Sequence, residues 1–312
     1  IRYCSDRFYT QSSSNNITIT QSSDAPTGFK NSLLLTMGTA TNLDYMRVGT
    51  TIEGFNFSSL AFGTSSAKTF TLSFWIKCSL TGSFGVGFRN GTSPDGTGAT
   101  TSRLASYTIN SANTWEYKTI TIPGATSQTW GSSTDLGLTI KWDIGDSTAR
   151  SGTVDATWQT SNANYPVGLT GGTKVASTTG ATWYITGVQL EVGKVATPFE
   201  YRSYGQELAL CQRYFWKTFD GTTYTSAFLV NSLIGNTARI PISMTQVPMR
   251  SIPTITVFSS GGTSGQLTEF SSATTRTVSS IYAESTLGGG YMDVTSLGSQ
   301  PVRFAAYYSA EL

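Results

Sequence analysis

The segment Trp183-Tyr-Ile-Thr-Gly-Val-Gln-Leu-Glu-Val-Gly-Lys-Val-Ala-Thr-Pro-Phe-Glu-Tyr-Arg202 reads as a β-strand, a turn and an extended tail that stops at a boundary. Trp183, Ile185 and Gly187 fall on one face, and Tyr184, Thr186, Val188 and Leu190 on the other, the period-2 alternation of a half-buried strand. Gly193 ends the run, and Pro198 biases Thr197 toward extended backbone.

Upstream, the same grammar recurs at short intervals. Ile17-Thr-Ile-Thr-Gln21 alternates, and Leu33-Leu-Leu-Thr-Met37 is a short buried run. Phe70, Leu72, Phe74, Ile76 and Cys78 form one apolar stripe, with Thr71, Ser73, Trp75 and Lys77 opposite. Phe84, Val86 and Phe88 follow the Thr81-Gly82 turn as a hairpin partner would. Trp115–Ile122 is halted by Pro123-Gly124, and Leu138, Ile140, Trp142 and Ile144 point inward before Gly145-Asp146 turns the chain. Gly145–Gly180 reads as loops on one rim, with room for a short strand. Strands at this spacing argue for an all-β antiparallel sandwich, a jelly roll, over residues 1–204.

Downstream, Leu208, Cys211, Gln212 and Phe215 recur at helical spacing, with Ser203 as a candidate cap, so 205–217 reads as a junction helix. Ala227–Ile234, Ala238–Ser243, Thr254–Phe258, Thr277–Tyr282, Tyr291–Val294 and Val302–Tyr308 then read as a second, smaller β-sandwich over 218–312. Pro241, Pro248 and Pro253 belong at edges or bends.

Composition narrows the chemistry. At 312 residues, 38% of them apolar, there is material for about two domains with ordinary cores. Only 12% are charged, about half the usual share, and Ser, Thr, Gly and Asn fill the polar positions. Such a surface suits β-rich extracellular or virion proteins better than cytosolic enzymes. A net charge of +2 without any Lys/Arg run argues against nucleic acid as a partner. The absence of histidine removes Ser-His-Asp and Cys-His nucleophiles and histidine-bound zinc. Cys4, Cys78 and Cys211 are far apart and odd in number, and read as buried small hydrophobes. No run reaches the ~20 apolar residues of a membrane span, so no membrane insertion is expected.

Flat rings that can stack on the C–H face of a sugar are the first binding candidates. Trp130, Trp158 and Tyr165 lie in Gly/Ser/Thr/Asn-rich segments, with Gln159, Asn162 and Asn164 close to Trp158. Trp75 sits opposite its strand's core stripe. Each ring also has a plainer reading as the lid of a core or part of a subunit contact. Trp142 and Trp183 read as core, and Trp216 as packing the helix. Asp143, Asp146, Asp135 and Asp155 offer oxygens of the kind calcium takes, but their spacing matches no EF-hand loop, so no metal or cofactor is expected. Glu53, Glu116, Glu191 and Glu200 carry no motif that would mark the carboxylate pair of a glycosidase. Gly261-Gly262 and Thr286-Leu-Gly-Gly-Gly290 lack the lysine and helix of a phosphate loop.

Several stretches resemble tailed-phage fibre and appendage proteins that carry a carbohydrate-binding-module-like jelly roll. Val188-Gln-Leu-Glu191, Gly193 and Ala196-Thr-Pro-Phe-Glu200 match the closing strand of that domain, and Arg2-Tyr-Cys-Ser-Asp-Arg-Phe-Tyr9 resembles a Tyr-x-x-Asp-Arg-Trp segment found slightly inside the same proteins, with Phe8 in place of Trp. Glu207-Leu-Ala-Leu-Cys-Gln-Arg-Tyr-Phe-Trp216 is similar to the helix that follows it. Arg239–Met244 and Val247–Thr254 are similar to the C-terminal domain of the same group. The resemblance implies residues upstream of Ile1 and a non-enzymatic virion-surface protein, a homotrimer joined to other virion proteins. That protein would be the distal part of a tail fibre or similar appendage touching host-surface polysaccharide. The alternative it implies is a head fibre or capsid decoration protein with a structural role.

Overall fold

Alternation in Phe70–Cys78 builds the first core: Phe70, Leu72, Phe74, Ile76 and Cys78 are all fully buried. The computed structural model describes residues 2–4, 7–13, 16–39, 44–160, 166–219, 228–230, 237–242, 247–269, 272–286, 289–295 and 301–311. The chain divides into two compact units, Ile1–Tyr201 and Arg202–Glu311.

The first unit is a β-sandwich of jelly-roll type. Its early strands are β1 (Arg2–Tyr3), β2 (Phe8–Ser12), β3 (Ile17–Ser22), β4 (Ser32–Met37) and β5 (Met46–Glu53), followed by the one-turn helix α1 (Gly54–Phe57). Then come β6 (Phe70–Cys78), β7 (Gly82–Arg89), β8 (Thr101–Ile109), β9 (Glu116–Ile122) and β10 (Leu136–Asp143). Short strands β11 (Ser151–Gly152), β12 (Gln159–Thr160) and β13 (Gly168–Leu169) precede the long β14 (Thr182–Val192). One sheet runs β1-β2-β5-β10-β7-β8-β12 and faces the other, β3-β4-β14-β6-β9. Trp142 and Trp183 are fully buried between them, as their strand positions predict.

Three details depart from the sequence reading. β6 and β7 are not a hairpin: β6 pairs with β14 and β9, and β7 with β10 and β8, so residues 79–81 carry the chain from one sheet to the other. Their stripes meet face to face across the core, with the Phe70 and Phe88 rings 5.4 Å apart.

β14 does not alternate strictly either. Thr186 pairs with Trp75 and Gln189 with Ser73, so Gly187 and Val188 together oppose Phe74 in a β-bulge. Past the bulge the phase inverts: Leu190 lies opposite core residue Leu72 and packs on the core, while Gln189 and Glu191 turn outward.

Third, the residues between Gly145 and Gly180 do more than form a rim. A Cβ on Gly85 would stand 2.0 Å from the Val167 carbonyl oxygen, and one on Gly87 would stand 3.0 Å from the Val167 side chain. The stretch therefore lies directly on the outer face of the seven-stranded sheet. Asp146 and Gly168 of that stretch meet Arg47 and Asp143, which are buried there, whereas buried Lys141 stands 5.8 Å from the centre of the Tyr9 ring and bonds to Gln11.

The second unit opens with helix α2 (Tyr204–Gln212), capped by a reciprocal box in which the Ser203 hydroxyl accepts from the Gln206 amide and the Gln206 side chain accepts from the Ser203 amide. The helix ends earlier than its periodicity predicts. Phe215–Lys217 form a strand, β15, and Trp216 packs on Tyr308 at 5.2 Å. Aromatic residues favour a pleated surface when a partner strand is there to receive them. β16 (Phe228–Val230), β17 (Thr237–Ile242), β18 (Thr254–Phe258) and β19 (Gln266–Glu269) follow, then β20 (Thr275–Ala283), β21 (Gly290–Thr295) and β22 (Val302–Ser309). β22 is the hub: β15 and β18 pair with its C-terminal half, β16 and β19 with its N-terminal half. Residues from both ends of the strand path, Trp216 of β15 and Ile240 of β17, pack into one core, so the sheet curls upon itself. Pro241 sits on the edge strand β17, where its missing N–H costs no ladder bond. Of the cysteines, Cys78 is buried, but Cys4 and Cys211 are only half-buried, unlike the buried hydrophobes expected.

Candidate functional site

The outer face of the five-stranded sheet gathers aromatic rings. Because β6 points Phe74 and Ile76 into the core, it points Trp75 and Lys77 out. Register then brings them neighbours: Trp75 lies opposite Tyr117 of β9, and Lys77 opposite Tyr184 of β14. The Trp75 and Tyr117 rings are 5.3 Å apart at 45°. Trp115, two residues before Tyr117, meets Tyr184 edge-on at 6.0 Å. Between these rings the Lys77 ammonium stands 4.3 Å from the centre of Tyr184 and 5.4 Å from that of Trp115. Tyr117 is 42% exposed, and Trp75, Trp115 and Tyr184 are half-buried.

The face is electrically quiet. Asp24 accepts from Lys77 and, at 2.9 Å, from the Trp115 indole N–H. Those two bonds, the lysine's first, hold the Asp24 carboxyl below the usual carboxylate range. The arrangement can present ring faces to an apolar C–H surface while Asp24 and the strand hydroxyls meet polar groups beside it.

The other ring candidates fare differently. Trp130 is 8% exposed and stands edge-on to Phe62 at 4.9 Å, its N–H given to the Ser127 carbonyl at 3.2 Å. It is part of the core and offers no ring to solvent, which corrects the sequence reading. The flanking glycines and serines did not make an exposed loop, because α1 and the chain at Phe62 close over it. Trp158 is half-buried against the same cluster, edge-on to Trp130 at 5.2 Å and donating to the Pro123 carbonyl at 2.8 Å. Tyr165 lies outside the described residues.

The acidic candidates are structural. Arg47 grips Asp146 through two nitrogens, and Asp143 accepts the Asp146 amide at 2.7 Å. A guanidinium thus occupies the Asp146 oxygens that could have met a cation, and a backbone amide takes one of Asp143's. Burial, then the Asp146 carboxylate, pushes Asp143 above the usual carboxylate range. Asp135 accepts from the Ser133 amide and hydroxyl, and Asp155 from the Leu104 amide. Among the described residues no group of three or more Cys, Asp and Glu side chains forms a metal cage. Beside Asp146, Lys141 is buried and bonded to Gln11, and burial pushes its ammonium down to about 5 with Arg89 and Arg47 adding to the effect.

Glu53 is buried on β5, and Glu116 accepts the Asn110 and Ser111 amides at 2.8 Å each. Glu191 and Glu200 belong to a clasp. Glu191 accepts the Thr197 amide at 2.9 Å, and Gln189 accepts the Glu200 amide at 2.9 Å and donates to Glu191. The returning tail is thereby pinned to β14, and Phe199 is set against Phe29 at 5.0 Å.

No protein-family model matches the sequence, and no curated protein is similar to it. Solved structures with a similar strand arrangement include the enzymatically active domain of bacteriophage CBA120 tailspike protein 4, at 14% identity and a TM-score of 0.35. The match covers 60% of this chain but only 19% of that one, so this chain spans about a fifth of the tailspike. Another is the family 11 carbohydrate-binding module from Clostridium thermocellum in complex with a β-1,3-1,4-mixed-linked tetrasaccharide, at 13% identity and a TM-score of 0.31, covering 61% of this chain and 91% of that one. A third is the C-terminal family 22 carbohydrate-binding module of Clostridium thermocellum Xyn10B, at 11% identity and a TM-score of 0.34, covering 62% and 91%. The likeness lies in strand arrangement alone.

Proposed function

We propose that this chain is a non-enzymatic glycan-contacting protein, the distal part of a phage tail fibre or similar appendage, and that Trp75 and its neighbours lie against host-surface polysaccharide. The observation that carries the reading is the outer face itself, where two ring pairs share one sheet surface and the lysine between them is neutralised by Asp24. A surface of rings whose lysine is already paired suits the C–H faces of sugars better than it suits nucleic acid or an anionic membrane. The phage-fibre wording at Val188–Glu200, at the chain start and at Glu207–Trp216 supports the virion assignment. Self-association, as a homotrimer alongside other virion proteins, is supported by α2, which buries no residue within its own chain.

The test is a glycan array and whole-cell binding assay on the folded protein beside a Trp75→Ala/Tyr117→Ala variant. Binding that the variant loses by at least about tenfold supports the reading, since an aromatic contact is worth about 0.5–1.5 kcal/mol beyond the area it buries. No binding to any glycan or cell would turn the reading to a head fibre or capsid decoration protein, with the ring face as a contact between chains.

A further inference from the structure

At the open edge of the first unit a cavity of about 480 Å³ enters between the two sheets. Its floor is apolar and comes from both sheets: Phe8 from β2, and Ile19, Leu33 and Ile185 from β3, β4 and β14. Phe29 and Phe199 form one wall, edge to face at 5.0 Å. The clasp of Gln189 and Glu191 fixes that wall from behind by holding the tail on either side of Phe199. Gln21 and Asn31 add two side-chain amides, neither of which makes a hydrogen bond within the described residues. Among the described residues no Asp, Glu, Lys or Arg lines the cavity.

We propose that this edge cleft is a second binding site, separate from the ring face on the outer sheet, and that it takes the end of a neutral glycan. The size falls within the ~300–1,000 Å³ range of small-molecule sites and exceeds what one sugar ring needs. The absence of cations disfavours phosphorylated, sulfated or uronic-acid ligands, whose charge would enter unpaired. A purely apolar ligand such as an acyl chain would strip water from the Gln21 and Asn31 amides and give them no partner. A sugar matches both features, with C–H faces for the phenylalanine wall and hydroxyls for the amides. Because the cleft is floored by core side chains, a polymer enters it by its end. The inference extends the glycan reading to a different surface, so each can fail without the other.

The test follows the methyl NMR signals of Ile19, Leu33, Ile185 and Val188 in the full chain. The probes are the neutral trisaccharides cellotriose, maltotriose and laminaritriose, with trigalacturonate as the acidic comparison, each at millimolar concentration. The expected result is saturable movement of these methyls with at least one neutral probe and none with the acidic one. A Gln21→Ala/Asn31→Ala variant, whose lost amides hold nothing in the fold, should melt like the parent and bind at least about fivefold more weakly, as two lost hydrogen bonds imply. Trp75→Ala/Tyr117→Ala should leave the shifts unchanged. Silence of these methyls with all neutral probes would overturn the proposal, as would equal response to trigalacturonate, undiminished binding by the amide variant, or loss of the shifts in the outer-face variant.

Discussion

At Gly187 the backbone takes φ +59°, and a Cβ there would stand 2.5 Å from the Phe29 ring. Glycine is required twice over, by the left-handed turn of the bulge and by the ring seated on it. Gly187→Ala should therefore lower stability by about 1–3 kcal/mol in urea denaturation, and an unchanged midpoint would mean the bulge is not as drawn. Lys141 makes a prediction of another kind. Its folded value of about 5 lies below the unfolded 10.5, so between these values unfolding takes up a proton and stability rises with pH. Asp143, pushed up, acts oppositely on the acid side, and the Cys78 thiol, raised from 9.0 to about 11, acts oppositely on the alkaline side. With no histidine in the chain, the interval from pH 7 to 9 is left largely to Lys141. Stability there should climb by up to about 1.4 kcal/mol per pH unit, and Lys141→Met should flatten the climb while raising the midpoint at pH 7. The same slope in the variant would assign it to another group.

The elements explain which parts of this were readable in advance. Stripes such as Phe70–Cys78 are set within one strand and show in the sequence as alternation. The bulge in β14, the crossing at residues 79–81 and the strand at Phe215–Lys217 are set by partner strands, and nothing local announces them. Trp75 was legible as the residue off its stripe, but Tyr117, Trp115 and Tyr184 join it only through register. The buried Arg47, Lys141 and Asp143 were invisible, because their cover comes from residues far along the chain. The clasp gives the Val188–Glu200 wording a physical meaning. The bulge turns Gln189 and Glu191 outward, and they supply the acceptors for the Thr197 and Glu200 amides. Gln189→Ala with Glu191→Ala should speed hydrogen exchange at Thr197 and Glu200 by about tenfold or more while β6 and β10 keep their protection. Uniform loss of protection across the unit would instead mark the clasp as part of the global fold.

At the scale of the molecule, a single shallow sugar contact is weak, and its use on a surface depends on copies acting together. Helix α2 is the place where the chain is least self-sufficient. Tyr204 is 81% exposed, Leu208 40% and Leu210 37%, and no residue of the helix is buried. The capping box makes a stable helix end there, so the apolar side chains are displayed on an ordered element. Water penalises that display, and packing against copies of the same helix, as proposed, would relieve it. If α2 carries the proposed self-association, Leu208→Glu with Leu210→Glu should give single chains in sedimentation velocity where the parent assembles, without changing the β-sheet circular dichroism. Soluble oligosaccharide should then bind each chain as before, while attachment to whole cells falls by about 10²–10⁴, the factor that several linked weak sites gain from effective concentration. A variant that remains assembled would move the contact away from α2. One that becomes single chains yet attaches to cells undiminished would show that a lone ring face suffices.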